Sequence, residues 1–500
     1  MEQAKAAGEP TIYDVVPYPS HAFFDTHPER MAVMATLHGL SPAPVDKCRV
    51  LEVACGDGSN LLPMAYTLPE SEFVGFDLAG EPIERGKKMI HELGLKNLSM
   101  FQGDLMKVGD ELGQFDYIIV HGVYSWVPKP VREGVLDLVN RLLTPDGIAF
   151  VSYNAQPGGY LRMVQRDMLR FLVCGRDNLR EQIAAADKTM RMLMNARGEQ
   201  DAFRHLFEER QSKMMLRPAG SVYHDELSEV HEPPLFADFV AHAAEHGLQF
   251  LDEAMLPPPP DPFYKGELRR DIEKAVGTDT ILTEQMLDFV RLRQFRETLL
   301  CRSDLKVSRE FKWERFRNLV VTSETLAEPG KEPGATAFVL AGGARMEMNH
   351  PGLVGAMTKL TEAWPRAIPF AEVEADLAAT VKDMKNDGTG LLMRLVIAQM
   401  IELRTWNPPL AEALPERPRA SLLARMEARE SATATTLLHT TVRFEDEIAH
   451  RFIHLLDGTR NREELATALK AEMPAVPAEE IDTKIDKSLN FFYRAGFFEA

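Results

Sequence analysis

Residues 48–77 read CRVLEVACGDGSNLLPMAYTLPESEFVGFD. Val50-Leu51-Glu52-Val53 is an apolar run carrying one carboxylate; Ala54 to Asn60 must then turn sharply before the apolar stretch Leu61 to Leu68. This order predicts strand, glycine loop and helix. Gly56 and Gly58 permit positive φ and let backbone amides approach a ligand closely, beside the positive end of the following helix. A second strand, Phe73-Val74-Gly75-Phe76, ends in Asp77, where a doubly wound sheet holds a ribose diol. The expected ligand is an adenosine-bearing cofactor.

A dinucleotide fingerprint, G-x-G-x-x-G, would require a third glycine where this chain has Leu61. The pattern E-x-A-C-G-D-G-S-N over Glu52 to Asn60 instead resembles the first motif of class I S-adenosyl-L-methionine-dependent methyltransferases. The resemblance implies that Gly56 and Gly58 flank the methionine part of the cofactor and that Asp77 holds the ribose hydroxyls. It places Glu52, Cys55, Asn60 and Leu78 in the same cofactor-facing set, although small size alone accounts for Cys55.

Strand and helix alternate from residue 49 to 153, which predicts one complete α/β domain. A helix from Gly80 to Leu93 leads to the strand Leu98–Phe101 and then Asp104, where the methyltransferase pattern binds the adenine amino group. The fourth strand, Phe115–Val120, delivers His121-Gly122-Val123-Tyr124-Ser125-Trp126-Val127-Pro128 to its carboxyl end, the end at which open α/β sheets bind ligands. The fifth, Ile148–Tyr153, is followed by Asn154 and Pro157-Gly158-Gly159. Ahead of the sheet, residues 11–40 are rich in aromatics and histidine, with Thr26-His27-Pro28 set to cap a helix over 29–38. These rings either pack on the sheet edge or, through Tyr18 or His27, close the cofactor pocket from above.

Tyr13-Asp14-x-x-Pro17-Tyr18-Pro19-Ser20, Thr26-His27-Pro28, the segment from His121 to Pro128, and Ser152-Tyr153-Asn154 with Pro157-Gly158 carry a closer resemblance. They are similar to bacterial methyltransferases with a methyltransferase regulatory domain, a group that includes the outer-membrane-protein lysine methyltransferases. The likeness is strongest over 11–160. His121-Gly122-Val123-Tyr124 stands where many other N-methyltransferases have Asn/Asp-Pro-Pro-Tyr, so the motif leaves the acceptor atom open. His121, Tyr124, Trp126, Tyr153 and Asn154 are candidates to line an acceptor channel, with His121 facing the cofactor as well and serving as proton acceptor. Trp126 fits equally as a hydrophobic plug beneath the lid. Tyr223 and His224, with Asp225, are candidates for a wall of the acceptor pocket on the same resemblance.

The 500 residues imply two to four domains. A net charge of −18 argues against general polyanion binding, which requires clustered Lys and Arg, and no nucleic-acid partner is expected. The first thirty residues lack a signal peptide's apolar core, and no apolar run approaches the ~20 residues of a membrane helix. Cys48, Cys55, Cys174 and Cys301 have neither disulfide-framework nor metal-ligand spacing, which fits a reducing cytoplasm. His242 and His246 stand four apart, but H-x-x-x-H without Glu next to the first His gives no expectation of a metal.

Apolar residues at helical spacing from Tyr160 to Arg210 predict two or three methionine-rich helices, packed on the catalytic domain or across a homodimer. A polyproline spacer at 256–262 precedes a helix expected from Leu282 to Leu300, and a boundary is expected within 308–317. A hairpin around Gly342-Gly343 and three helices, then Val442 and three more, form a weak repeat of two winged-helix-like units. The expected fold is therefore a doubly wound, Rossmann-like class I methyltransferase domain followed by helical regulatory and winged-helix-like C-terminal domains. Its limits are 1–45 for an N-terminal lid, 46–165 for the cofactor domain, 166–300 for the regulatory domain, 301–410 for the middle unit and 420–500 for the last. The expected activity is methylation of lysine side chains in a protein substrate. The alternatives are a small-molecule methyltransferase and a non-catalytic S-adenosylmethionine-binding regulator.

Overall fold

The computed structural model describes residues 11–173, 178–255, 268–310, 312–380 and 388–500; Cys174 and the proline run 256–262 lie outside them. Seven strands, β1 (Arg49–Val53), β2 (Glu72–Asp77), β3 (Leu98–Gln102), β4 (Phe115–Val120), β5 (Leu143–Asn154), β6 (Leu248–Glu253) and β7 (Phe295–Arg302), form one sheet in the order β3-β2-β1-β4-β5-β7-β6. The first five run parallel; β7 is antiparallel to β5, and β6 to β7. The order reverses at β1, the point where such sheets bind ligands beyond the strands' carboxyl ends.

Two features depart from expectation. The sheet does not close at its fifth strand, because β6 and β7 arrive from the segment read as helical. The helix expected over 282–300 runs only Thr280–Arg291: Leu292 takes φ +48° at its end and the chain continues as β7. Phe295–Arg302 fits a strand because Arg296, Thr298 and Leu300 are buried on one face. Arg296 is fully buried, 2.8 and 2.9 Å from the Asp288 carboxylate and 2.7 Å from Glu253, so the helix before the strand and the neighbouring β6 supply its counter-charges.

Successive residues of each strand face opposite ways, and both faces are covered. Val50, Tyr117, Ile119, Ile148, Phe150 and Leu299 pack with the helices Pro28–Leu37 and Leu61–Thr67. Leu51, Val53, Ile118, Val120, Val151, Tyr153 and Leu300 pack with Lys129–Leu142 and Phe236–Glu245. Each such side chain contributes about 1.5–3 kcal/mol on burial, enough to override local helix propensity in β7.

The helices Gly158–Val173, Leu179–Asn195 and Ala202–Met215 surround a small core of Leu169, Met190, Met194, Phe207 and Met214, where flexible methionines fill gaps. The middle unit joins a hairpin, Thr336–Val339 with Arg345–Met348, to helices Pro351–Ala363, Phe370–Thr380 and Gly388–Ile397. Its Phe316, Leu360, Val373 and Leu403 extend the apolar cluster over the Pro28–Leu37 side of the sheet. The last unit, hairpin Thr433–Thr435/Thr441–Arg443 with helices Glu447–Leu455, Arg462–Glu472 and Ala478–Arg494, has its own core around Phe452, Leu465, Ile485 and Phe492. Among the described residues no helix is long and apolar enough to cross a membrane.

Candidate active site

The turn after β1 holds φ of +58°, +57° and +75° at Ala54, Gly56 and Gly58. A side chain on Gly58 would meet Met100 Sδ at 2.6 Å, whereas above Gly56 the nearest atom is Ser20 Oγ at 4.0 Å. Gly58 is thus favoured by its left-handed backbone, with the flexible end of Met100 packed above it, and Gly56 leaves room for a ligand. Asp77 at the end of β2 accepts from Gly56 N at 2.9 Å with one carboxylate oxygen and from Ala79 N at 2.8 Å with the other. Burial raises its pKa against those two amides. Each oxygen keeps a lone pair for a hydroxyl, as a ribose diol requires. Beside it Leu78 is exposed, and past β3 Asp104 accepts from Met106 N at 3.0 Å, with Lys107 at 3.5 Å from its other oxygen.

Glu52 is buried on β1. Its Oε1 accepts from Asn60 Nδ2 at 2.8 Å, while Oε2 has no partner. Burial lifts its pKa to about 8. An orphaned buried carboxylate oxygen under a glycine turn fits a cofactor with a cationic amine, and Asp77 fits its ribose. These residues suit S-adenosylmethionine. Asn60 is a hub: its Oδ1 accepts from Phe23 N and His439 Nε2, each at 3.0 Å, and its Nδ2 donates to Thr26 Oγ1 at 2.9 Å. Cys55 turns its thiol towards Gly75 of β2, within 2.8 Å of where a Cβ there would stand, and burial raises the thiol's pKa well above its usual value.

The lead-in crosses the end of the sheet. Asp14 accepts from Glu81 N at 2.9 Å, and the Tyr13 phenol, pushed up to about 12 by burial and by nearby Asp77, stacks on His224 with centroids 4.1 Å apart. Tyr18 reaches Asp225 at 3.4 Å, and its hydroxyl is likewise raised to about 12. His224 bonds Val16 O at 2.7 Å and meets Tyr223 edge-on at 5.3 Å. His224 therefore ties the regulatory segment to the lead-in. His27 does not close the pocket with its ring: it is buried, accepts from Glu29 N at 3.2 Å as the cap of Pro28–Leu37, and lies 5.1 Å from His439.

Of the acceptor candidates, His121 stands at the end of β4 with Nδ1 3.0 Å from Ser152 Oγ, between Phe23 at 4.0 Å and Phe295 at 6.3 Å. Burial and nearby His21 lower its pKa to about 4, so it is neutral but a weak proton acceptor. Asn154 N donates to Ser125 Oγ at 3.1 Å, which in turn donates to Asn154 Oδ1 at 3.3 Å. Trp126 lies against His231 at 4.4 Å and under the guanidinium groups of Arg162 and Arg166 at 5.3 and 5.1 Å. Two candidates fall elsewhere. Tyr153 is fully buried on the opposite face from Ser152 and Asn154, with its hydroxyl 3.1 Å from Thr298, because strand alternation turns it into the core. Tyr124 is also buried and aims its hydroxyl at His242 Nδ1, 2.6 Å away.

Sequence reasoning missed Asp25 and Glu297. Glu297 pairs with Ser152 across β5 and β7, so it shares the face that bears His121. Burial, then Asp25 and Glu253, raise Glu297 to about 7, and burial raises Asp25. The misread helix hid Glu297; no motif marks either acid.

Sheet order, glycine turn and the paired acids Glu52 and Asp77 define a class I methyltransferase. A family model described as a methyltransferase domain matches residues 44–218, one described as a "predicted methyltransferase regulatory domain" matches 218–302, and one described as the PKMT C-terminal winged helix domain matches 416–486. A Rickettsia prowazekii protein described as uncharacterized is 28% identical over 479 residues, covering 91% of this chain and 85% of the relative. A second from that organism is 33% identical over 240 residues, covering 48% of this chain and 96% of the relative. The fold matches the structure of PKMT2 from Rickettsia typhi in complex with AdoHcy with a TM-score of 0.86, at 22% identity, over 96% of this chain and 100% of that one. The chain belongs to the class I S-adenosyl-L-methionine-dependent methyltransferases that carry a methyltransferase regulatory domain, and S-adenosyl-L-methionine is its methyl donor.

Proposed function

We propose that this enzyme methylates lysine side chains of a protein substrate. Residues 46–165 bind the donor, the lead-in within 1–45 closes over it, and the regulatory and winged-helix units present the acceptor. The observation that carries this reading is the match of residues 416–486 to the PKMT winged-helix model, in a unit that contacts the donor loop through His439. The PKMT2 likeness and the resemblance to outer-membrane-protein lysine methyltransferases support it, and a net charge of −18 suits a basic acceptor. The protein is read as cytoplasmic.

The donor, when bound, supplies an electrophilic sulfonium methyl. The chain's own part is to orient, dehydrate and deprotonate. Asp77 and the Gly56 amide fix the ribose end, and Glu52 faces the amine through Oε2. Glu297, with Asp25 beside it, attracts the lysine ammonium between the rings of Phe23, His121 and Phe295. Burial among these groups weakens the ammonium's hold on its proton, and Glu297 receives it. His121 remains neutral and acts as a wall. Alignment at near-attack distance supplies the remainder of the rate.

Incubation with methyl-labelled donor and a bacterial outer-membrane protein fraction tests the reading, with tryptic mass spectrometry to locate the label. Methyl groups on lysine nitrogens are expected. Label found only in small metabolites would overturn the protein acceptor and leave the donor site standing.

A further inference from the structure

His242 and His246 lie on the last turn of Phe236–Glu245 and just beyond it, and the residue that completes them comes from another helix. Glu133, in the second turn of Lys129–Leu142, places Oε2 2.9 Å from His242 Nε2 and 3.0 Å from His246 Nε2. The three donor atoms all lie within 4.8 Å of one another. Tetrahedral zinc with bonds of about 2.0–2.1 Å to nitrogen separates its ligand atoms by about 3.3 Å, so a small side-chain adjustment converts these contacts into a coordination shell. The fixed spacing of four on a helix was visible in the sequence; its carboxylate, more than a hundred residues earlier, was not.

The surroundings suit a metal. Both imidazoles are largely sheltered, at 16% and 19% exposed, while Glu133 at 41% leaves an open side for water as fourth ligand. Tyr124 Oη stands 2.6 Å from His242 Nδ1. Metal-bound histidines characteristically donate their second ring N–H to an oxygen acceptor, usually a carboxylate, carbonyl or water, which fixes the tautomer and raises ligand basicity; the Tyr124 hydroxyl oxygen occupies that place here. The neighbouring cation, Arg132, is paired with Glu232 at 2.7 Å, so its charge is compensated.

We propose that Glu133, His242 and His246 form a site for a divalent transition metal, zinc in the first instance, with Tyr124 orienting His242. Two imidazoles and one carboxylate favour zinc, cobalt or nickel over calcium or magnesium. The bound ion clamps the helix after β4 to the helix before β6. Through Tyr124 it also steadies the loop that carries His121 and Trp126. It acts on the acceptor side of the enzyme and takes no part in donor binding.

The test uses tag-free full-length protein, stripped with chelator and titrated with Co²⁺ and then Zn²⁺. One equivalent of Co²⁺ should bind with the strong visible absorption of a tetrahedral site, and Zn²⁺ should displace it. Glu133→Gln and His246→Gln should each weaken Co²⁺ binding by about tenfold or more, and Tyr124→Phe by about tenfold. Binding of S-adenosylmethionine serves as the folding check in every variant. No Co²⁺ spectrum in the wild type, or a spectrum unchanged in folded Glu133→Gln and His246→Gln variants, would overturn the proposal. So would loss of the spectrum in His450→Gln alone, since His450 and His454 form another histidine pair with the same spacing.

Discussion

His439 Nε2 donates to Asn60 Oδ1 across 3.0 Å, joining residues 379 apart in the chain. His439 takes φ +59°, a left-handed conformation that costs a non-glycine residue about 1–2 kcal/mol. Burial holds its pKa at about 3, so the ring is neutral and its tautomer is set by the bond. Asn60 also grips the Glu52 carboxyl and the lead-in at Phe23 and Thr26. A strained residue of the winged-helix unit thus braces the donor loop from behind.

His439→Ala should loosen that brace without touching the donor. Loss of one neutral buried hydrogen bond is worth about 0.5–1.5 kcal/mol, so S-adenosylmethionine affinity is expected to fall by about two- to tenfold. Asn60→Ala should cost more, because it strands Glu52, Phe23 N and Thr26 together. Calorimetry on folded variants checks both. Wild-type affinity in Asn60→Ala would remove the loop's dependence on this network.

Glu52 makes the donor-free protein sensitive to alkali. Its pKa is about 8 in the fold against about 4.5 when unfolded, so the native state holds the extra proton between those values. Its stabilising contribution is complete below pH 4.5 and is lost as pH rises to 8. Glu52→Gln should therefore flatten the decline in melting temperature between pH 5 and pH 8. A cationic donor amine beside Oε2 favours the carboxylate, so binding at pH 7 should release about one proton, read from calorimetry in buffers of different ionisation enthalpy. Equal enthalpies in those buffers would mean that Glu52 does not meet the amine.

The donor half of the site was legible because its chemistry is local. A glycine turn between an apolar strand and a helix, with an acid at the end of the next strand, fits within Glu52 to Asp77, and backbone geometry does the rest. The acceptor half is assembled from strand alternation and late strands. Tyr153 and Asn154 are neighbours in sequence, yet one enters the core and the other faces Ser125. Arg296 and Glu297 sit in a stretch whose apolar spacing also suits a helix; long-range pairing with β5 made it a strand and brought Glu297 opposite Ser152. His27 looked like a cap and proved to be one, which left its ring unavailable for the pocket.

Asp77→Ala tests the ribose assignment directly. It removes an acceptor held by Gly56 N and Ala79 N, and hydrogen bonds to a charged group are worth about 1.5–3 kcal/mol. Donor affinity should fall by about 10- to 100-fold, with unchanged secondary structure by circular dichroism. Unaltered affinity would place the ribose elsewhere.

Glu297 should set the pH dependence of methyl transfer. It is the carboxyl on the His121 face whose pKa burial, together with Asp25 and Glu253, lifts to about 7. As a raised acid it is protonated below that value and becomes a carboxylate above it, so kcat/KM should climb as pH passes through 7 if this group attracts the ammonium and takes its proton. Glu297→Gln keeps the size of the side chain and removes the charge at every pH. It should lower kcat/KM by about 100-fold and abolish the rise, while donor affinity stays at the wild-type value because the donor's ribose and amine ends are assigned to Asp77 on β2 and Glu52 on β1, respectively four and three strands from β7 in the sheet. Asp25→Asn should preserve the rise but shift it to lower pH, since removing a neighbouring negative charge makes Glu297 a stronger acid. A purely structural role would lower activity by the same factor across the whole pH range and leave the profile of Asp25→Asn where the wild type has it.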